Sequence, residues 1–239
     1  MADTPDTPRS TGRPSHQNVT FDSAGTPAHG YLARPPAGSG PGVLVIQEWW
    51  GLTDHIADVA DRLAAQGFVA LAPDLYGGNV AHDSDEAFRM MRELPVARGV
   101  ELLAGAVDHL LARPEVTSET VGAVGFCMGG GFVLYLAASD PRVSAAVPFY
   151  GVIQGEVPDF SGLKAQILGH YGERDEAIPV ATLDGLRRTI EQQSGIEADF
   201  RVYPADHAFF NDGRPEVYDP ESSAKAWAAT LEFLTTHIS

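Results

Sequence analysis

The stretch from Val121 to Gly131 constrains this chain most, because it joins a strand, a turn and a helix in close succession. A β-branched apolar run at Val121–Val124 leads into Gly-x-Cys-x-Gly, centred on Cys127, and a helix-forming segment follows at Phe132–Ala138. This layout is typical of a nucleophile elbow, in which a strained turn presents one reactive side chain. The flanking glycines let neighbouring backbone approach closely, and the N–H groups of the following helix would face an anion.

Cys127 alone does not establish a catalytic site, since free cysteine is among the most buried residue types. Two phosphate-binding motifs are excluded: a dinucleotide-binding fingerprint needs glycine where Cys127 stands, and a P-loop needs Gly-Lys-Ser/Thr, which is absent. Two interpretations of Cys127 therefore remain: a reactive nucleophile, or a small buried side chain in a glycine-rich turn. Residues elsewhere in the chain distinguish them.

Composition limits the domain organisation, the partners and the compartment. The 239 residues show no break in composition, so we expect one domain over residues 17–239, after a tail over 1–16 that is rich in Thr, Pro, Asp and Ser and predicted to be disordered. The net charge of -16 argues against binding to nucleic acid or anionic membranes. No secretory signal or apolar run of about 18 residues is present, which favours a cytoplasmic protein. A single cysteine excludes an intrachain disulfide and a Cys-based zinc cluster.

Strand-like and helix-like segments alternate along the chain. After a hairpin of two short strands (Val19–Phe21 and His29–Arg34), the predicted strands are Gly42–Gln47, Phe68–Ala72, Val121–Val124, Val143–Val147, Gln166–His170 and Ala198–Tyr203. Helices are predicted from Thr53 or Asp54 to Gly67 and over 83–93, 96–113, 132–138, 179–193 and 222–238. Such alternation indicates βαβ units, hence an α/β protein with a mainly parallel sheet and helices on both faces. In such sheets the chemistry lies at the C-terminal ends of the strands.

A cysteine nucleophile needs a base, and the base needs a group that fixes its tautomer. Asp175, in the loop after the Gln166–His170 strand, and His207, just after the last predicted strand, follow Cys127 in the order nucleophile, acid, histidine. The acid has competitors in Glu173, Glu176 and Asp206, although Asp206 is adjacent to His207 and would not easily reach its ring. We interpret His170 as structural, and the remaining histidines on predicted helices or a loop as solvated (His55, His82, His109 and His237).

Six segments together make the chain resemble the dienelactone hydrolase family of cysteine α/β-hydrolases, from about Val19 to Ile238. They are Gln47–Gly51, Pro73–Gly77, Gly125–Gly130, Tyr150–Gly151, Gly172–Asp175 and His207–Phe209. The resemblance implies the α/β-hydrolase fold and a Cys127, His207 and Asp175 triad. It also implies that an enol-lactone is hydrolysed, with an oxyanion hole from the backbone N–H groups of Met128 and Trp49.

Glu48 adds an electrostatic element to this site. A carboxylate beside the thiol disfavours the thiolate, whereas His207 and the helix N-terminus favour it. The family pattern implies that Glu48 keeps the resting thiol protonated until substrate displaces the carboxylate. The alternative is a strand-end carboxylate that points to water.

The chain departs from the family where the best-known members carry arginines that hold a substrate carboxylate. Gly77, Gly78 and Asn211 stand there, so Arg89, Arg174 or Arg214 would have to supply the cation. A neutral ester or lactone is then as well supported as an acidic dienelactone. The predicted substrate-binding residues are Trp50, Tyr76, Tyr150 and Phe209, in an aromatic pocket to which Trp49 and Phe210 also belong and of which at least two members are core residues.

The sequence thus predicts a hydrolase that cleaves an ester or lactone through an acyl-enzyme, with no metal or organic cofactor and a small-molecule substrate. The oligomeric state is open, with a monomer favoured. A broad-specificity carboxylesterase or thioesterase remains an alternative within enzymes. A non-catalytic ligand-binding or redox-sensing protein is the alternative outside them.

Overall fold

Strands and helices alternate through residues 16–239, which a computed structural model describes. The tail predicted over 1–16 lies outside the described residues except for His16. The strands are β1 (Val19–Ser23), β2 (Thr26–Ala33), β3 (Gly40–Ile46), β4 (Val69–Pro73), β5 (Val116–Phe126), β6 (Val143–Phe149), β7 (Gln166–Gly172) and β8 (Asp199–Tyr203). The helices are α1 (Asp54–Ala65), α2 (Ser84–Glu93), α3 (Val96–Leu111), α4 (Met128–Ser139), α5 (Val180–Ser194) and α6 (Pro220–His237).

All eight strands form one sheet in the order β1-β2-β4-β3-β5-β6-β7-β8. The β1–β2 and β2–β4 pairs are antiparallel, and every pair from β4 through β3 to β8 is parallel. The sheet is therefore mainly parallel, and the α/β-hydrolase fold expected from the sequence is confirmed. Because consecutive parallel strands run in one direction, their C-terminal ends meet at one edge of the sheet.

Helices cover both faces of the sheet, as expected. Gly122 and Gly125 lie three residues apart on β5 and so face opposite sides. A Cβ added at Gly122 would overlap Leu234 and Ile238 at the end of α6, whereas one at Gly125 would overlap Val133 of α4. Both faces of β5 are thus packed against a helix. This explains why the second half of the strand, from Val121 onwards, is buried throughout.

The hairpin and strand β5 differ in extent from the sequence prediction. The hairpin turn is only two residues long, with Ala24 at φ 50° and Gly25 at φ 77°, the combination that a tight type I′ connection requires. Strand β5 begins at Val116 instead of Val121, because Gly40 of β3 pairs with Val116. Its first five residues are half-buried and exposed in alternation, so they lack the continuous apolar run from which the other strands are predicted. No helix within residues 16–239 is both long and apolar enough to span a membrane.

Candidate active site

Cys127 lies between the end of β5 and the start of α4, in the strand–turn–helix arrangement that the sequence predicts. Its φ of 52° and ψ of -115° are a conformation that a residue with a side chain adopts only at a cost of about 1–3 kcal/mol. Three backbone hydrogen bonds hold it there. Cys127 N donates to Phe149 O at 3.0 Å, while Val152 N and Gly131 N donate to Cys127 O at 2.9 and 3.2 Å. The side chain remains partly exposed.

His207 and Asp175 meet at the same edge of the sheet. His207 Nδ1 lies 2.7 Å from Asp175 Oδ2, and the Asp175 side chain is fully buried. Asp175 Oδ1 accepts the backbone N–H groups of Ala177 and Ile178, at 2.9 Å each, so the carboxylate is fixed in place. With Nδ1 bound to the carboxylate, Nε2 is the ring nitrogen left for the thiol.

The three competing acids lie elsewhere. Asp206 pairs with Arg174, whose Nε and Nη2 are each 3.2 Å from its carboxylate oxygens. Glu173 and Glu176 are exposed to solvent. Asp175 is thus the acidic side chain that the structure brings to His207.

The Cys127 side chain lies close enough to the His207 ring to act on its pKa. Burial alone would lower the pKa of His207, but the interactions with Asp175 and Cys127 outweigh it and raise this pKa to about 10. Both neighbours therefore favour the protonated imidazole. An imidazolium beside a thiol favours the thiolate, the reactive form of cysteine.

The first turn of α4 packs directly against the end of β3. A Cβ added at Gly129 would overlap the carbonyl oxygens of Ile46 and Gln47, so only glycine permits this approach. The N–H of Met128, first in α4, has no acceptor within its helix. Trp49 follows β3 immediately after Gln47 and Glu48. The two backbone donors that the resemblance implies therefore belong to two segments in direct contact, beside Cys127.

Glu48 is buried, with only 2% of its surface exposed, so the alternative of a carboxylate that points to water is wrong. Asn211 Nδ2 donates to Glu48 Oε2 at 2.6 Å. Asn211 Oδ1 accepts the N–H of Gly213 at 3.0 Å, which determines the orientation of the amide. Glu48 Oε1 is buried and finds no hydrogen-bond partner within residues 16–239.

Burial raises the pKa of the Glu48 carboxyl, against the opposing effects of His55, Asn211, His207 and Arg214. The neutral acid is therefore favoured over the carboxylate more than at an exposed site. The like-charge repulsion expected between Glu48 and the thiol acts only while Glu48 is ionised. In this structure the side-chain hydrogen-bond partner of Glu48 is Asn211, while Cys127 acts on the pKa of His207.

Of the three arginines considered as replacements for the missing cations, only Arg214 acts on the site. Burial raises the pKa of both Glu48 and Tyr150, and the charge of Arg214 opposes this rise; its guanidinium lies 5.9 Å from the ring centroid of Trp50. Arg89 forms ion pairs with Glu86 and Glu93 on the surface of α2. Arg174 is occupied by Asp206, as described above.

Aromatic side chains surround the thiol, as expected, but not all of them face open space. Trp49 and Trp50 are partly exposed and meet edge to face at 5.1 Å. Tyr76 donates its hydroxyl to Met128 Sδ at 3.3 Å. Tyr150 lies 5.1 Å from the His207 ring, and its buried hydroxyl has no partner among the residues that the structure describes.

Phe209 corrects one prediction. Its side chain is fully buried and packs against Phe149, Tyr150 and Tyr203, as part of the hydrophobic core. It therefore supports Tyr150 from behind and does not offer a surface to a substrate. Phe210 is likewise buried, which confirms that two of the aromatic residues belong to the core.

Two further histidines, His170 and His55, are buried away from His207. His170 is structural, as expected, because it bonds Tyr203 Oη at 2.9 Å and Thr230 Oγ1 at 3.0 Å, and burial lowers its pKa to about 3. His55 was expected to be solvated, and this is wrong. It lies on the buried face of α1, with its Nδ1 3.0 Å from Asp212 Oδ1 and its ring against Phe126.

Comparison with known proteins identifies relatives over nearly the whole chain. The model of the dienelactone hydrolase family matches residues 28–238. A protein of Aquifex aeolicus named "Putative carboxymethylenebutenolidase" is 34% identical over 230 residues, which are 93% of this chain and 99% of that protein. A Yersinia pestis protein of the same name is 32% identical and covers 92% of this chain and 87% of its own.

Solved structures agree with this relationship. A "Putative Dienelactone Hydrolase" from Klebsiella pneumoniae superposes with a TM-score of 0.83 at 32% identity, over 94% of this chain and 98% of that one. A dienelactone hydrolase-like promiscuous phosphotriesterase from metagenomic libraries gives 0.81 at 27% identity, over 95% and 98%.

Proposed function

This chain belongs to the dienelactone hydrolase family, and from that premise we propose that it hydrolyses a carboxylic ester or lactone through Cys127. The observation that carries the proposal is one connected arrangement. Cys127 stands on a strained turn beside His207, whose Nδ1 lies 2.7 Å from the buried Asp175. These are the positions that a nucleophile, a general base and its orienting acid require.

The proposed reaction has two halves. The Cys127 thiolate attacks the carbonyl carbon, and the Met128 and Trp49 N–H groups stabilise the oxyanion. The C–O bond then breaks, protonated His207 gives its proton to the leaving oxygen, and a thioester remains on Cys127. Water attacks this thioester while His207 takes its proton. The acid leaves, the sulfur is released, and Asp175 holds the imidazole in one orientation throughout.

A neutral substrate fits the charges around the thiol better than an acidic one. Arg214 is the one cation of the three candidates that acts on the site, and its Nε is 2.9 Å from Glu216, so part of its charge is already paired. The net charge of -16 also disfavours an anion, and so does Glu48 whenever it is ionised. We propose that Trp50 and Tyr76, which are partly exposed, contact the substrate and that the buried Glu48 faces it, whereas Tyr150 is as fully buried as Phe209 and does not contact it.

A broad-specificity carboxylesterase or thioesterase is the second candidate, and it is favoured by the neutral character of Asn211 at the Glu48 carboxyl. It differs from the first in substrate only. A dienelactone, p-nitrophenyl acetate and an acetyl thioester therefore form the test panel. A kcat/KM on the neutral esters equal to or above that on the dienelactone would favour the generalist.

Two substitutions test the mechanism. Cys127→Ala and His207→Ala should each lower kcat by roughly 10⁶-fold, the effect of removing the nucleophile or the histidine of such a triad. His82→Ala, at an exposed histidine, is the matched control and should leave kcat unchanged. Undiminished turnover by Cys127→Ala would refute the mechanism. If the parent hydrolyses no ester on the panel, the non-catalytic alternative becomes the better one.

A further inference from the structure

A concavity of about 400 Å³ lies between the loop that follows β6 and helix α5. Its walls are largely aliphatic, formed by Val152, Ile153, Val157, Ile178, Leu183 and Leu186. The volume falls within the roughly 300–1,000 Å³ of pockets that bind small molecules. None of the residues to which we assign catalytic or substrate-binding roles lines it.

Apolar surface continues from this concavity to the outside. Val157, in its wall, is 52% exposed, and Val180 at the start of α5 is 36% exposed, next to Pro179, which also lines it. They are two of the five large hydrophobic side chains that are exposed among the described residues, one in the wall of the concavity and one adjacent in sequence to it.

Both walls are hydrogen-bonded to the proposed catalytic residues. On one side, Val152 N donates to Cys127 O at 2.9 Å. On the other, Ala177 N and Ile178 N donate to Asp175 Oδ1 at 2.9 Å each. The concavity thus lies at the C-terminal ends of β6 and β7, the edge of the sheet that carries the thiol.

The lining also excludes one class of occupant. No charged side chain is among the residues that form it, and its polar groups are the hydroxyls of Tyr171, Thr182 and Thr189. A carboxylate or phosphate inside it would lose hydration without gaining an ion-pair partner. A neutral hydrocarbon chain would instead replace water against aliphatic walls.

We propose that this concavity binds a linear alkyl chain of a neutral ester while the ester carbonyl is at Cys127. The inference rests on the proposed ester hydrolysis and adds the substrate class to it. Each methylene buried there should raise kcat/KM roughly fourfold. Octanoate esters should therefore exceed acetate esters by at least tenfold, provided that two or more methylenes are covered.

Gly185 supplies a variant that fills the concavity without damaging the fold. It lines the wall from helix α5, and a Cβ added there would meet no atom within 4 Å. Gly185→Leu places a side chain in this open space, and replacing glycine within a helix also favours the helix. Gly185→Ala is the matched control, with the same helical benefit and little volume.

The experiment measures kcat/KM of the parent and both variants on p-nitrophenyl acetate and p-nitrophenyl octanoate, and on ethyl acetate and octyl acetate. Gly185→Leu should reduce the octanoate-to-acetate ratio of kcat/KM at least tenfold and leave kcat/KM on acetate unchanged. Gly185→Ala should match the parent on both esters. A reduction confined to the octyl and ethyl pair would support the same pocket, with the chain on the alcohol side. An unchanged ratio in both series, in an active parent, would overturn the inference.

Octanamide binding, measured by calorimetry, separates this inference from the proposed function because it needs no turnover. The amide should bind the parent at least tenfold more tightly than Gly185→Leu, even if every ester proves inert. An inert parent would contradict the ester hydrolysis alone. Equal affinity for the two proteins, or no binding to the parent, would overturn the pocket.

Discussion

Among single residues, we propose that Glu48 controls the reactivity of Cys127. Burial raises the pKa of Glu48, while the Asn211 amide, 2.6 Å from Oε2, opposes this effect by favouring the charged form. Below its raised pKa, Glu48 is neutral and leaves the thiolate–imidazolium pair undisturbed. Above it, the carboxylate repels the thiolate. Protection of the resting thiol by Glu48 should therefore depend on pH.

Alkylation of Cys127 by iodoacetamide, without substrate, measures this dependence. Glu48→Gln keeps the shape of the side chain and removes the charge, whereas Glu48→Ala also leaves Asn211 without its partner. We expect Glu48→Gln and the parent to react equally at low pH. As pH rises through the raised pKa of Glu48, the parent should fall behind by several-fold.

Asn211→Ala is the control for the cause of that shift. It removes the hydrogen bond that favours the Glu48 carboxylate, so the pKa of Glu48 should rise further. The alkylation rate of Asn211→Ala should therefore fall below that of Glu48→Gln only at a higher pH than the rate of the parent does. Equal rates at every pH would eliminate the protective role. A divergence already complete near pH 4.5 would show that burial does not raise the pKa of Glu48.

Among the secondary-structure elements, the contact between α4 and β3 sets the spacing of the two proposed oxyanion donors. Gly129 lies against the carbonyl oxygens of Ile46 and Gln47, so the spacing between the Met128 and Trp49 N–H groups depends on it. Gly129→Ala should push the two elements apart. We expect kcat to fall about 10²-fold or more, as when one oxyanion donor is lost. The free energy of unfolding should fall by about 1–3 kcal/mol, as for other overpacked sites.

Gly162→Ala is the matched control for this substitution. The added methyl would meet only Ala138 O, at an ordinary 3.5 Å. Both its kcat, from ester hydrolysis, and its free energy of unfolding, from urea titration, should stay near those of the parent. If Gly129→Ala behaved like Gly162→Ala, the glycine contact would have no role in the site.

The placement of Cys127, Asp175 and His207 could be predicted from the sequence because each follows a recognisable buried strand. Parallel strands bring such positions to one edge of the sheet, whatever the details of packing. The strand ends alone do not identify the acid. The order along the chain does not separate Asp175 from Glu173 and Glu176, which lie in the same loop. The resemblance to the family favours Asp175, and its burial distinguishes it from the other two in the structure.

The partners of buried side chains could not be predicted in the same way. Asn211 and Glu48 are 163 residues apart, and their hydrogen bond depends on how the loop after His207 returns to β3. His55 is next to Ile56 on α1. Its ring is covered by two residues of that same loop, Phe210 and Asp212. Phe209 looks like a pocket residue in sequence, yet it turns into the core.

For the molecule as a whole, the sheet edge and the surface charge act together. The C-terminal edge carries the thiol, its histidine and the apolar concavity, while the net charge of -16 acts against anions that approach it. Neutral esters escape this repulsion. We propose that the acyl group of such an ester is transferred to Cys127.

Mass spectrometry of the intact protein tests whether an acyl group is transferred to Cys127. p-Nitrophenyl pivalate is a suitable reagent, because its hindered acyl group slows the attack of water on the thioester. After acid quenching, the parent should carry one pivaloyl group per chain, on the peptide that contains Cys127, in step with the first equivalent of p-nitrophenol released. Cys127→Ala should carry none. Release of p-nitrophenol with Cys127 unmodified, or with the acyl group on another residue, would contradict the proposed mechanism.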